Sequence, residues 1–426
     1  MRGSRLARVS ATVVAILIVL AGVAVVGYRV FAPHESLTRP TVPYPDVVLI
    51  TDERPYSELR AAPLVVEGRL RVYAEKWRVW SDAPVGERYE STPYWAFRRW
   101  PAQVVGVVAA STAAGPMVVT QWSDGEIIAL DARRGAIAWR AVVPIGERNY
   151  DGRRTGASVV YEPRSLLTAR LGDGPVLLVT GPGAVHAFDP TTGARLWQRQ
   201  VQAGCEPSAW TGATLLALPD CGEPGITLVA ATDGRVRGRW TPPDKAVTPR
   251  PTLCERSRSE CRLVTVDGQT WLLGADAKLT AVPALEPGAM LAGERVIYPT
   301  RTGVAARRLA EKAPLWTWTG RGSLISADGA GVYVLTDDRT VLGLSPATGH
   351  LVVLGCASSR PNEEWQVGHV YPTGAGYLVL ERITAEPPDA EDQQYFYGPR
   401  PVALVELYTP TKLPVWPGKF AACRPL

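Results

Sequence analysis

Apolar and polar positions along this chain follow two regimes. From Val9 to Tyr28, twenty consecutive residues carry no formal charge, bracketed by Arg8 and Arg29. A helix of that length spans about 30 Å, the thickness of a bilayer core. Beyond it no stretch repeats with the 3.6-residue period of a helix. Apolar runs of strand length recur instead, among them Met117–Trp122, Val176–Thr180, Leu291–Pro299 and Gly331–Thr336, separated by Gly, Pro, Asp and Thr. Runs of that length and punctuation predict strands joined by tight turns.

Two of these segments align without gaps. Gly125-Glu-Ile-Ile-Ala-Leu-Asp131-Ala-Arg-Arg-Gly135-Ala-Ile-Ala-Trp139 matches Gly183-Ala-Val-His-Ala-Phe-Asp189-Pro-Thr-Thr-Gly193-Ala-Arg-Leu-Trp197. Each reads as strand, turn and returning strand. An Asp carboxylate can accept backbone N–H groups just ahead of it, and Gly supplies the positive φ such a turn requires. A Trp on the returning strand fills space between layers. Asp131, Gly135, Trp139, Asp189, Gly193 and Trp197 are therefore expected to be structural.

Weaker copies end at Trp240, Val282, Trp316, Val353 and Trp416, giving seven hairpins. Repeats of roughly 35 to 60 residues built mostly of strand predict an all-β, seven-bladed β-propeller, with eight blades the alternative. Residues Leu64–Trp80 then supply outer strands, ring closure or the eighth blade. The expected layout is a basic tail over 1–8, a transmembrane signal anchor over 9–28, a Pro-rich spacer over 29–46 and the propeller over 47–426.

Charge sharpens the topology and narrows the partners. Arg2, Arg5 and Arg8 precede the apolar run, so the positive-inside rule keeps the N-terminus cytoplasmic and sends the propeller outside. Apolar residues continue past the small-residue site Gly22-Val23-Ala24, which favours an uncleaved anchor. Pro33, Pro40, Pro43 and Pro45 predict an extended spacer. Three of the five net positive charges sit in the tail. The remainder carries no basic surplus fit for nucleic acid. Only six lysines stand among 46 basic residues, a composition expected of a GC-rich bacterial genome.

All six cysteines (Cys205, Cys221, Cys254, Cys261, Cys356 and Cys423) follow the anchor, as expected of disulfides in an exported domain. Six cysteines allow 15 pairings; sequential pairing is the expectation. No CxxC occurs and the four histidines are scattered, so no metal site is expected.

The pattern Ala-x-Asp-x-x-Thr-Gly-x-x-x-Trp, complete at Ala187, Asp189, Thr192, Gly193 and Trp197, resembles the tryptophan-docked repeat of the pyrroloquinoline-quinone (PQQ)-type propellers. That superfamily includes quinoprotein dehydrogenases and a non-enzymatic lipoprotein of the outer-membrane β-barrel assembly machine. The resemblance implies an architecture rather than an activity. A quinoprotein reading would require PQQ and Ca²⁺ held by carboxylate and amide oxygens. Asn149 and Asn362 are the only asparagines, and Asp131 and Asp189 are expected in turns. The expectation is therefore a membrane-anchored, extracytoplasmic binding or scaffolding module without catalytic residues or cofactor. A PQQ-dependent oxidoreductase is the alternative.

Three irregular stretches stand out as contact candidates for a cell-envelope protein or anionic polymer. Val142–Ser158 carries Arg148, Tyr150, Arg153 and Arg154. Ala385–Arg400 carries an acidic run and then Tyr395, Phe396 and Tyr397. Tyr89–Trp100 is rich in aromatics, and packing between blades is its favoured reading.

Overall fold

The computed structural model describes residues 15–23, 25–28, 32–47, 56–171, 174–201, 210–212, 215–219, 225–243, 249–253, 261–274, 276–358, 363–384 and 395–409. They form eight separate antiparallel sheets. Seven apolar clusters cover all eight seams between neighbouring sheets. The largest joins the first sheet to both the second and the last, which closes the ring. The molecule is an eight-bladed all-β propeller. A closed ring leaves every sheet face covered by a neighbour, so the strands read as nearly continuous apolar runs.

Blades are numbered here around the ring, and strands in each blade from the axis outward. Blade 2 runs Val104–Thr112, Gly115–Trp122, Glu126–Asp131 and Ala136–Val142. The Gly125–Trp139 repeat is thus the hairpin of its third and fourth strands. Blade 3 places Ala184–Phe188 and Arg195–Gln200 equivalently.

The count of seven is corrected by the chain's first hundred residues. Leu64–Val66, Leu70–Glu75, Arg78–Asp82 and Trp95–Trp100 form blade 1. Its third and fourth strands are joined by residues 83–94 instead of an Asp–Gly turn, so it leaves no repeat signature. The fully buried Arg71–Asp82 pair organises that connection. Arg71 Nη2 lies 2.6 Å from Asp82 Oδ2, and the same guanidinium donates to the carbonyls of Glu87 and Tyr89.

The hairpin expected at 402–416 also differs. Val402–Glu406 is the third strand of blade 8, but its outer partner is Ser57–Leu59, with Ser57 opposite Leu404. One end of the chain therefore completes the blade built by the other. Tyr408 instead bridges to Leu354 on blade 7.

The spacer reading over 29–46 is corrected too. His34–Thr38 pairs antiparallel with Trp95–Trp100, His34 opposite Trp100, as a fifth, outermost strand of blade 1. Glu35 anchors it by ion pairs with Arg99 and Arg140. At the expected anchor, residues 15–23 and 25–28 are helical and their large apolar side chains are exposed. Among the described residues no helix is long and apolar enough to cross a membrane. Residues 1–14 lie outside the described set.

Cys261 and Cys356 are both disulfide-bonded. Cys205, Cys221, Cys254 and Cys423 lie outside the described residues, and so does the expected pairing. Trp416 lies outside them as well.

Candidate binding site

The repeat residues meet across the seams. Trp139 projects from the outer strand of blade 2 and donates Nε1–H to the Pro190 carbonyl of blade 3 at 2.9 Å. Trp197 does the same to Ala231 of blade 4, and Trp316 of blade 6 to Pro346 of blade 7. Each ring lies over the turn glycine of the next blade. A Cβ on Gly193 would sit 2.6 Å from Trp139, and one on Gly349 2.6 Å from Trp316. Asp131 Oδ1 accepts from the N–H groups of Arg133 and Arg134, and Asp189 Oδ1 from that of Thr191. Gly135 and Gly193 have φ of 57° and 73°.

Trp95, within the aromatic stretch expected to pack between blades, joins this series. Its Nε1 donates to the Ala132 carbonyl at 2.9 Å, over Gly135. Trp240 makes a different contact, its ring centroid 5.5 Å from that of Trp271 on blade 5. These tryptophans and turns are committed to holding blades together.

The arginine-rich segment between blades 2 and 3 turns inward. Ala157–Val160 forms a single helical turn. With Tyr161 it joins the core shared by blades 8, 1 and 2. The ring of Tyr161 stacks on that of Tyr371, centroids 4.2 Å apart. Tyr371 belongs to the innermost strand of blade 8, Gln366–Pro372. Contact with neighbouring blades near their inner edge places this segment, the plug, on the axis side of the ring, against blades 8, 1 and 2.

A buried polar cluster locks the plug. Thr155 and Glu381 are fully buried, and the Thr155 hydroxyl donates to Glu381 Oε1. His369 Nδ1 lies 3.1 Å from Glu381 Oε2 and 2.6 Å from Arg153 Nη1. Arg153 Nη1 is also 4.0 Å from Glu381 Oε2. A carboxylate taken out of water needs such compensation. Arg154 donates to the carbonyls of Gly398 and Pro399, and Arg148 to that of Ile145. Tyr150 is half-buried. Burial, then the nearby Glu75 and Asp151, push its hydroxyl up to about 12. Of the four contact candidates, Arg153, Arg154 and Tyr150 brace the plug against other blades.

The aromatic trio also packs inward. Phe396 is buried and bridges to Ile383, and Arg382 lies 5.7 Å from the centroid of Tyr397. Tyr395 packs edge-on against Phe396. The acidic residues 385–394 lie outside the described set.

On the opposite face, the plug leaves a pit of about 510 Å³. Leu64, Val66, Val108 and Tyr161 supply apolar wall, while Glu67, Ser111, Thr168 and Thr373 add polar groups. Walls come from blades 1, 2, 3 and 8, chiefly where first strands turn into second. Apolar walls with a few polar groups are the usual make-up of a ligand or side-chain pocket. No motif marked these residues, because four distant segments contribute them. The lock residues did leave a trace. Tyr377–Ile383 is buried throughout, yet reads Glu381-Arg382 near its end, and buried charges require partners. Among the described residues, no group of three or more His, Cys, Asp and Glu side chains could hold a metal ion.

Residues 53–237 match the PQQ-like family model described as "Outer membrane protein assembly factor BamB". No curated protein matches the chain. Among solved structures, BamB from Moraxella catarrhalis is 15% identical over 88% of this chain and 100% of its own, with a TM-score of 0.42. The computationally designed Ika8 protein is 11% identical over 82% and 99%, at 0.43. A europium-containing methanol dehydrogenase is 12% identical over 82% and 85%, at 0.39.

Proposed function

We propose that this propeller, whose repeat is of PQQ type over residues 53–237, is a membrane-anchored, extracytoplasmic scaffold that binds a protein partner of the cell envelope and carries out no chemistry of its own. The observation that carries the reading is the treatment of the ring axis. Residues 153–161 pack on the axis side of blades 8, 1 and 2 as a locked plug, and a 510 Å³ pit opens on the other face. A pit with apolar walls accepts a projecting side chain or turn of another protein. The twenty-residue apolar run behind three arginines supports the anchor and the outward placement.

The oxidoreductase alternative requires PQQ with Ca²⁺. The carboxylates of Asp131, Asp189 and Glu381 are engaged in two turns and the lock, which favours the scaffold. Anything that binds only the folded state raises the melting temperature. The scaffold reading therefore expects unchanged melting with PQQ and Ca²⁺, and a discrete heteromeric adduct when intact cells are crosslinked. Saturable stabilisation with PQQ-dependent dye reduction supports the enzyme instead. Protease added to spheroplasts should digest the propeller, and full protection would refute its outward placement.

A further inference from the structure

The way the chain enters the propeller sets the propeller's orientation. Ala32 donates its N–H to the Tyr28 carbonyl at 2.7 Å. This bond holds Ala32 beside the last described helical residue, Tyr28, two residues before His34, where the fifth strand of blade 1 begins. Each residue spans at most about 3.6 Å, so the His34 end of blade 1 stays within a few ångströms of the helix end. The turn between the second and third strands of blade 1, at Lys76 and Trp77, lies at the same end.

That end has the chemistry of a lipid-facing surface. The rings of Trp77 and Trp100 meet edge-on, centroids 4.8 Å apart. Lys76 Nζ stands 5.0 Å from the Trp77 ring centroid. Lys76 and Arg98 are exposed, and among the described residues neither forms an ion pair with a carboxylate. The carboxylates near them are engaged. Glu75 pairs with Arg78, and Glu35, Asp124 and Glu126 pair with Arg99 and Arg140. Amphipathic indole rings favour the membrane–water interface, and cations held near it are attracted to anionic lipid.

We propose that the end of blade 1 carrying Lys76, Trp77, Arg98 and Trp100 is a bilayer-contact surface that rests on anionic phospholipid headgroups beside the anchor. The proposal rests on the anchored reading above. It fixes the orientation of the ring: the plug face turns toward the membrane and the pit opens away from it.

The test uses the full chain, reconstituted into phosphatidylcholine vesicles with or without phosphatidylglycerol. Flotation first establishes insertion. One fluorophore is placed on Ser36→Cys, opposite Arg98 in the register. Another is placed on Ala113→Cys, at an exposed turn on the pit face. A lipid with a spin label on its headgroup quenches whichever fluorophore lies against the surface. The expected result is several-fold stronger quenching at position 36 than at 113. The difference should shrink without phosphatidylglycerol, and again in the Lys76→Glu/Arg98→Glu double variant. Both substitutions are at exposed positions, and the variant's melting curve shows whether it is folded. Equal quenching in a chain that floats, or no response to the charge reversal in the folded variant, overturns the contact surface and leaves the anchor intact. A chain that does not float overturns both.

Discussion

Gly193 and Trp139 show how tightly single residues are specified at a seam. Gly193 adopts φ of 73°, and its Cα faces the Trp139 ring so closely that an added Cβ would stand 2.6 Å away. Gly293 shares a positive φ of 60° but has nothing within 4 Å. A left-handed non-glycine residue costs about 1–2 kcal/mol by itself. Gly293→Ala should show only that loss, whereas Gly193→Ala should melt lower because Trp139 must also move. Trp139→Ala should cost about 3–5 kcal/mol, the range for large aromatics removed from a core. Thermal melting of the three variants ranks them directly; Gly193→Ala no worse than Gly293→Ala would contradict the docking. His186 offers a titratable counterpart. Burial, then the charge of Arg195, hold its pKa below the usual value near 6.5. The folded state thus prefers the neutral ring, a contribution complete above that value and lost as pH falls through the lowered one. Melting temperature should therefore fall more steeply below pH 6.5 in the wild type than in His186→Gln. Parallel pH profiles would contradict it.

Elements behaved differently according to how local their determinants are. The Asp–Gly–Trp hairpins were legible because strand, turn and returning strand all lie within fifteen residues. Blade 1 was not. Residues 83–94, which join its third and fourth strands, are organised by the buried Arg71–Asp82 pair, and no turn motif reports that. The outer strand of blade 8 comes from Ser57–Leu59, hundreds of residues before its partner, so no local pattern reveals it. Proline density at 33–45 suggested a free spacer, yet the non-proline stretch between Pro33 and Pro40 has its backbone donors available and pairs as a strand. The plug is the element most open to perturbation. Glu381→Gln keeps the volume but removes the charge that faces Arg153, and weakens the acceptor for Thr155. Amide exchange across residues 144–161 should then accelerate, while exchange in Val332–Leu335 of blade 7 stays unchanged. Equal protection of the plug in variant and wild type would show that the lock contributes nothing.

At the scale of the whole molecule, the ring presents two unlike faces. One carries the arginine-rich plug and the turn of Lys76 and Trp77. The other carries the open pit. Ring architecture was legible from the repeats, since each hairpin needs a neighbour to bury its faces. The pit was not, because its residues come from four blades and share no pattern. If the chain is a scaffold, its partner meets the pit face. The most direct measurement is photo-crosslinking in intact cells from a reactive residue at Ser111 or Thr373 on the pit. The same residue at Arg301, in the exposed turn between the second and third strands of blade 6 on the rim of the opposite face, serves as control. The account predicts one discrete protein adduct from both pit positions and none from the rim. Adducts from the rim alone, or no protein adduct from either pit position, would contradict it.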